Sequence, residues 1–197
     1  MRQVLVLATC MLLVVLGSAC NSGGGSRRVD PDVDDDLGGT GLDSADARTI
    51  GDWMARSLVD NTEGRIPEGA TVALLEIRNE TRFFIDTKLL SETVETEVMK
   101  AAPGRFRWLA RDRIQDILRE REGKRTGPYE DYGALKKLLG ADYVLAGNLR
   151  AISKARGADR SDYVKTFFQL VDAETSVIEW QDSHEFKKVG EAGTIYR

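Results

Sequence analysis

Residues 163–184 run Tyr163-Val164-Lys165-Thr166-Phe167-Phe168-Gln169-Leu170-Val171, then Asp172-Ala173-Glu174-Thr175, then, after Ser176, Val177-Ile178-Glu179-Trp180-Gln181-Asp182-Ser183-His184. The outer runs are rich in β-branched and aromatic residues, and the four residues between them are turn-like. The stretch therefore predicts two antiparallel strands joined as a hairpin. Upstream, Tyr143 to Ile152 has a similar composition and predicts a third strand.

Further toward the N-terminus the pattern alternates between helix and strand periods. Ser44 to Asp60 places Ile50, Trp53, Met54 and Leu58 near one face and predicts a helix. Thr71 to Ile77 predicts a buried strand. Asp86 or Thr87 caps the next helix, whose stripe Leu90, Val94 and Val98 repeats at i+4 until Pro103-Gly104. A short strand from Arg105 to Ala110 follows, with Phe106 and Trp108 alternating. Asp112 to Arg121 predicts a second core helix through Ile114, Ile117 and Leu118. After a loop at Gly123 to Pro128, Tyr129 to Leu139 predicts a third, using Tyr132, Leu135, Leu138 and Leu139, with Gly140 as its C-cap. Beyond the first helix the order is β-α-β-α-α-β-β-β. Strands split by helices and then hairpins predict an α+β fold, a mixed sheet with helices largely on one face. The segment 44–197 is a normal single-domain length.

The N-terminus reads Met1-Arg2-Gln3 and then an apolar run from Val4 to Leu16. This run is shorter than the roughly 20 residues of a spanning helix and predicts an export signal. The segment Leu16-Gly17-Ser18-Ala19-Cys20 is similar to a lipobox, which implies cleavage after residue 19 and diacylation of Cys20. Each buried methylene contributes about 0.8 kcal/mol, so two chains anchor durably. Asn21 follows the cysteine, and in enterobacteria a residue other than aspartate there accompanies transport to the outer membrane. Of the two cysteines, Cys10 leaves with the signal. The mature chain then has neither an internal disulfide nor a cysteine metal site.

The chain holds 28 Lys plus Arg and 32 Asp plus Glu; removing Arg2 leaves 27 against 32, a mature charge of -5. Much of the excess lies in residues 21–43, where Asp30, Asp32, Asp34, Asp35, Asp36 and Asp43 face only Arg27 and Arg28. That stretch is mostly Gly, Ser and Asp, too poor in apolar side chains to fold, so residues 20–43 are expected to form a lipidated tether. Its alternating aspartates lack the central glycine and terminal glutamate of a calcium loop. No clustered basic face favours nucleic acid. His184 is the only histidine and no Gly-x-Ser-x-Gly elbow occurs. The glycine runs at 23–25 and 38–39 follow no strand, so they are not phosphate loops. These patterns predict no enzyme, no metal, no cofactor and no small-molecule substrate.

Between Thr71 and Lys188 four segments carry a resemblance. They are Ile77-Arg78-Asn79-Glu80-Thr81 with Ile85-Asp86; Phe106 to Asp112; Leu139-Gly140-Ala141-Asp142-Tyr143 on to Leu149; and Leu170 to Thr175 with Val177-Ile178-Glu179-Trp180. In their order and spacing they resemble the LpoB family, outer-membrane lipoprotein activators of class A penicillin-binding proteins. The resemblance implies a small mixed sheet flanked by helices, similar to the N-terminal domain of TolB. It also implies a domain that passes through the peptidoglycan mesh, docks on the synthase and raises its glycan-polymerising activity. Such an activator needs no catalytic residue, only differential affinity for the active state of its partner. Arg78, Arg82 and Phe83, in the loop after the first strand, are the candidates for partner contact. Asn79 and Thr81 are expected to organise that turn, and Trp180 to sit in the core. Two features depart from the family: Ser176 stands where the hairpin commonly has glycine, and the tether is short beside the proline-rich one of enterobacterial members. The alternative is an assembly or structural lipoprotein that uses the same domain in a secretion or polysaccharide-export complex.

Overall fold

The computed structural model describes residues 28–33, 39–126 and 136–191. The chain forms two units, Met1–Asp30 and Pro31–Arg197; of the first, only Arg28 to Asp30 are described, as irregular chain. The second unit contains, in order, α1 (Ser44–Thr62), β1 (Ala70–Leu74), β2 (Arg78–Asn79), α2 (Thr87–Ala101), β3 (Phe106–Leu109), a 3-10 turn (Arg111–Arg113) leading into α3 (Ile114–Thr126), β4 (Tyr143–Arg156), β5 (Asp159–Asp172) and β6 (Ile178–Glu191). The sheet order is β3-β1-β4-β5-β6, with β2 pairing alongside β4. β1 and β2 run parallel to β4, and β1 also to β3. The β4, β5 and β6 ladders are antiparallel. The mixed sheet and its closing hairpins are therefore as the sequence predicts.

Local chemistry sets the helix starts. Asp43 accepts from the Asp46 amide at 2.8 Å while Asp46 accepts from the Asp43 amide at 3.1 Å, a reciprocal cap on α1. Asp86 caps α2 by accepting from the Leu89 amide at 3.0 Å. The two helices bury Ile50, Met54 and Leu58, and Leu90, Val94 and Val98, against one face of the sheet. On β5 that face presents Val164, Phe168 and Leu170, joined by Leu145 and Leu149 of β4 and by Trp180 of β6. Each such side chain contributes about 1.5–3 kcal/mol when fully buried. The alternate residues of β5, Tyr163 to Val171, are only partly covered.

At the start of the sheet, Thr71 and Asp142 lock β1 to β4. The Thr71 amide donates to the Asp142 carboxylate at 2.8 Å, and the Asp142 amide donates to the Thr71 hydroxyl at 2.9 Å. The Thr71 amide and hydroxyl hold the Asp142 carboxyl below the usual range.

Several elements differ from the sequence reading. The strand expected over 71–77 breaks after Leu74 and resumes as β2 with a shift of register: Leu74 pairs with Leu145, but Arg78 pairs with Asn148. Trp53 is 47% exposed, one step round α1 from the buried stripe, with its ring 5.7 Å from that of His184. α3 is no core helix. It buries no residue, and Leu118 is 43% exposed, because it packs against neither the sheet nor the other helices. Of the third helix, residues 129–135 lie outside the described ones, while Lys136 to Gly140 are non-helical with Leu138 and Leu139 half-exposed. Gly140 consequently caps no helix; its carbonyl accepts from the Thr71 hydroxyl at 2.9 Å. β4, β5 and β6 all run past their expected ends. A two-residue turn at Gly157-Ala158, with Gly157 at φ 61°, joins polar segments that carry no apolar alternation. Ser176 adopts φ 62°, a left-handed conformation that costs a residue with a Cβ roughly 1–2 kcal/mol.

Gly147 shows how tightly the inner face is filled. It pairs across the ladder with the fully buried Phe168, and a Cβ there would stand 2.7 Å from the Phe168 ring. Gly147→Ala is expected to lower stability by about 1–3 kcal/mol through overpacking. A urea melt would check this, and an unchanged midpoint would contradict the packing described.

Candidate partner-binding site

The loop after β2 is built by two short polar side chains. The Asn79 carboxamide oxygen accepts from the Thr81 amide at 3.0 Å and from the Thr81 hydroxyl at 2.7 Å. The Phe83 amide donates to the Thr81 oxygen at 3.1 Å, and the Asn79 amide nitrogen donates to the Phe83 carbonyl at 2.8 Å. Asn79 and Thr81 thus organise the turn, as expected from the sequence.

The three sequence candidates separate in this structure. Arg82 donates to the Asp162 carboxylate at 2.7 Å and lies 4.8 Å from the Phe83 ring centroid, so it fastens the loop to β5. Phe83 is half-buried beside Gly41, where a Cβ would stand 3.5 Å from the ring. Arg78 is exposed on β2 and lines a cleft of about 810 Å3. The neighbouring Phe84, 97% exposed, was not singled out by sequence reasoning. Phe83 and Phe84 are adjacent and identical in type, so only the fold of the loop tells them apart. Cys20 lies outside the described residues.

Asp162 is fully buried and is the centre of a polar clasp. Besides Arg82 it accepts from the Thr40 hydroxyl. Burial pushes its carboxyl upward, but the nearby Ser153 hydroxyl, the Thr40 and Arg82 hydrogen bonds to Oδ2 and the Arg82 charge outweigh this and hold it below the usual range, while Oδ1 is buried with no partner among the described residues. Nearby, Lys188 donates to Asp43 at 2.5 Å and to Asp46 at 2.6 Å. Burial lowers the Lys188 value, and these two carboxylates more than offset it. Gly39 to Asp43 is therefore strapped across β5 and β6, with the Gly39 carbonyl close against Gly190. Further contacts reach back to Pro31, whose carbonyl accepts from the Ser44 hydroxyl at 3.0 Å.

The cleft beside Arg78 lies where β1 gives way to β2. Leu75 and Ile85 supply aliphatic walls, and Asn148, Phe167 and Gln169 line it from the strands beyond. The side chains of Arg78 and Asn148 make no hydrogen bond or ion pair among the described residues. A second cleft, of about 620 Å3, lies between α1 and β6. Most of its polar groups are engaged, Glu179 apart: Ser57 donates to Asp182 and receives the Trp180 indole N–H at 3.3 Å, while Asn61 and Arg65 bond to helix carbonyls. Among the described residues no group of three or more His, Cys, Asp or Glu is placed to hold a metal, and no helix is long and apolar enough to cross a membrane.

The fold and these surfaces define an α+β domain with one helix-covered sheet face, one face left open by the described residues and a cleft at a break in a parallel strand. A family model described as peptidoglycan-synthase activator LpoB matches residues 44–186, and the chain belongs to that family. Among solved structures, the LpoB C-terminal domain from Salmonella enterica is similar at 13% identity and a TM-score of 0.45, over 72% of this chain and 98% of that one. The solution structure of Escherichia coli LpoB matches at 11% identity and 0.42, over 90% and 81%. Lipoprotein GNA1162 from Neisseria meningitidis matches at 14% and 0.41, over 61% and 83%. A search of curated proteins finds no match.

Loosening the clasp is expected to free the strap and the loop together. Arg82→Ala should cost about 1–2 kcal/mol, because it strips a charged partner from Asp162 while Thr40 and Ser153 remain. Amide hydrogen exchange should rise in both 39–43 and 80–86 if the clasp is as described; a rise confined to one segment would contradict it. The Asp162 value is depressed on folding, so its contribution is complete above about pH 4 and is lost as pH falls through the folded value.

Proposed function

We propose that the mature chain is a lipid-anchored periplasmic regulator, held at the outer membrane through diacylated Cys20, that binds and activates a class A penicillin-binding protein in peptidoglycan synthesis. The observation that carries this reading is the family match across residues 44–186, nearly all of the domain between the tether and the C-terminus. The lipobox-like segment ending at Cys20 supports the anchor, and the Gly- and Asp-rich stretch after it supports a tether. The activator acts by contact. A synthase that binds this domain more tightly in its polymerising state is shifted toward that state by the ratio of the two affinities, with no chemical step in the activator.

In this reading residues 1–19 are removed, residues 20–43 link lipid to domain, and residues 44–197 form the docking module.

Cys20→Ala is expected to leave the domain folded but move it from the membrane fraction to the soluble periplasm. Retention of the variant in membranes would overturn the lipid anchor. Crosslinking the wild-type lipoprotein in cells, followed by mass spectrometry, should recover a class A penicillin-binding protein as the main product. Recovery of a secretion or polysaccharide-export component instead would replace activation with an assembly role.

A further inference from the structure

We infer that the cleft beside β2 is where this domain grips its synthase, and that the segment it grips presents an aliphatic side chain next to a carboxylate. This rests on the activator reading above and locates its contact.

The cleft is created by a defect in the sheet. Three residues, Leu75 to Ile77, lie between the paired positions Leu74 and Arg78, whereas only Ala146 and Gly147 lie between their partners Leu145 and Asn148. The extra residue is a bulge in a parallel ladder, where bulges are rare. Its effect is a change of phase: Leu75 and Glu76 are both exposed, Leu75 to 49%, while Ile77 turns inward and is buried. On the side away from β4, strand β3 reaches only as far as Ala73, so among the described residues no strand covers β1 and β2 beyond that point. A half-exposed leucine, an open strand edge and two side chains with unused hydrogen-bonding capacity, Arg78 and Asn148, thus meet at one place.

The chemistry of the walls selects the occupant. Leu75 and Ile85 offer aliphatic surface to an aliphatic side chain. The amide of Asn148 can both donate to and accept from a peptide group. The Arg78 guanidinium, exposed and unbridged, suits a carboxylate. The branched aliphatic walls of Leu75 and Ile85 are covered better by an aliphatic side chain of a protein segment than by a sugar ring rimmed with hydroxyls.

The surrounding face has the matching charge. Cross-strand register places Arg78, Arg150, Lys154, Lys165 and Lys187 on the open side of the sheet. Glu185 on the same face accepts from the Tyr163 hydroxyl, and Glu80 is bridged to Arg150 at 2.7 Å. The face is therefore net positive although the chain as a whole is -4, and it steers an acidic partner surface toward the cleft.

The test uses the mature lipoprotein in detergent with a purified full-length class A penicillin-binding protein, reading binding and glycan polymerisation together. Arg78→Glu is expected to weaken binding about tenfold and Asn148→Ala or Leu75→Ala about three- to tenfold, with stimulation lost in parallel. Arg119→Glu on α3 should bind as wild type, and urea midpoints should show that all variants are folded. If the wild type binds and the cleft variants bind equally well, the cleft is not the contact and the activator reading stands. If the wild type binds no class A synthase, both fall. If the cleft variants lose retention on purified peptidoglycan while keeping the synthase, the occupant is glycan and the inference is overturned.

Discussion

One row of side chains constrains the rest of this domain: Asp162, Val164, Thr166, Phe168 and Leu170, the buried face of β5. β5 is paired on both edges, so this row must be covered from one side, and α1 and α2 supply the cover. The row ends in a carboxylate where a hydrophobe would be expected. An isolated buried charge costs several kcal/mol, and such a group persists only if it is paired and hydrogen-bonded. The partners of Asp162 are Thr40, from the strap before α1, and Arg82, from the loop after β2. The positions of strap and loop thus follow from the needs of one buried group.

The features legible in the sequence were those with a local signature. The Asp86 cap, the Leu90, Val94 and Val98 stripe, the Asp172 to Thr175 turn and the Asn79-Thr81 turn all fall where composition and spacing place them. The misreadings share a different cause. Ile114, Ile117 and Leu118 have helical spacing, yet spacing does not reveal whether the helix docks on the sheet, and this one packs chiefly against the turn before it. The distal halves of β4, β5 and β6 carry Ser, Lys, Arg and Asp, and they pair because a two-residue turn brings them together, not because of burial. Of the candidate site, the loop was legible and the sorting of its residues was not. Arg82 became a structural cation only through Asp162, 80 residues away in the chain.

Because Thr40 and Arg82 share one carboxylate, their contributions are not independent. Removing either leaves the other facing a less satisfied charge, so effects at the two positions are coupled rather than additive. This ties residues 39–43, the chain before α1, to the loop that follows β2. Lys188, bound to both Asp43 and Asp46, adds a second tie at the point where the strap turns into α1. Together the two ties fix the path by which the chain enters α1.

The break between β1 and β2 is the least expected feature, and its physical logic is that of strand phase. Side chains on a strand alternate, so Val72 and Leu74 facing inward would place Glu76 inward as well. A glutamate there would be a buried charge with no partner. The extra residue lets the strand skip it: Glu76 stays in solvent and Ile77 takes the inward position, buried to 99% of its surface. The cost is that Leu75 stays exposed, which the run Thr71 to Ile77 conceals when read as continuous. A sheet edge that keeps a leucine in solvent in order to keep a glutamate out of the core has one apolar contact left to make, and it lies beside an arginine that has no partner within the described chain.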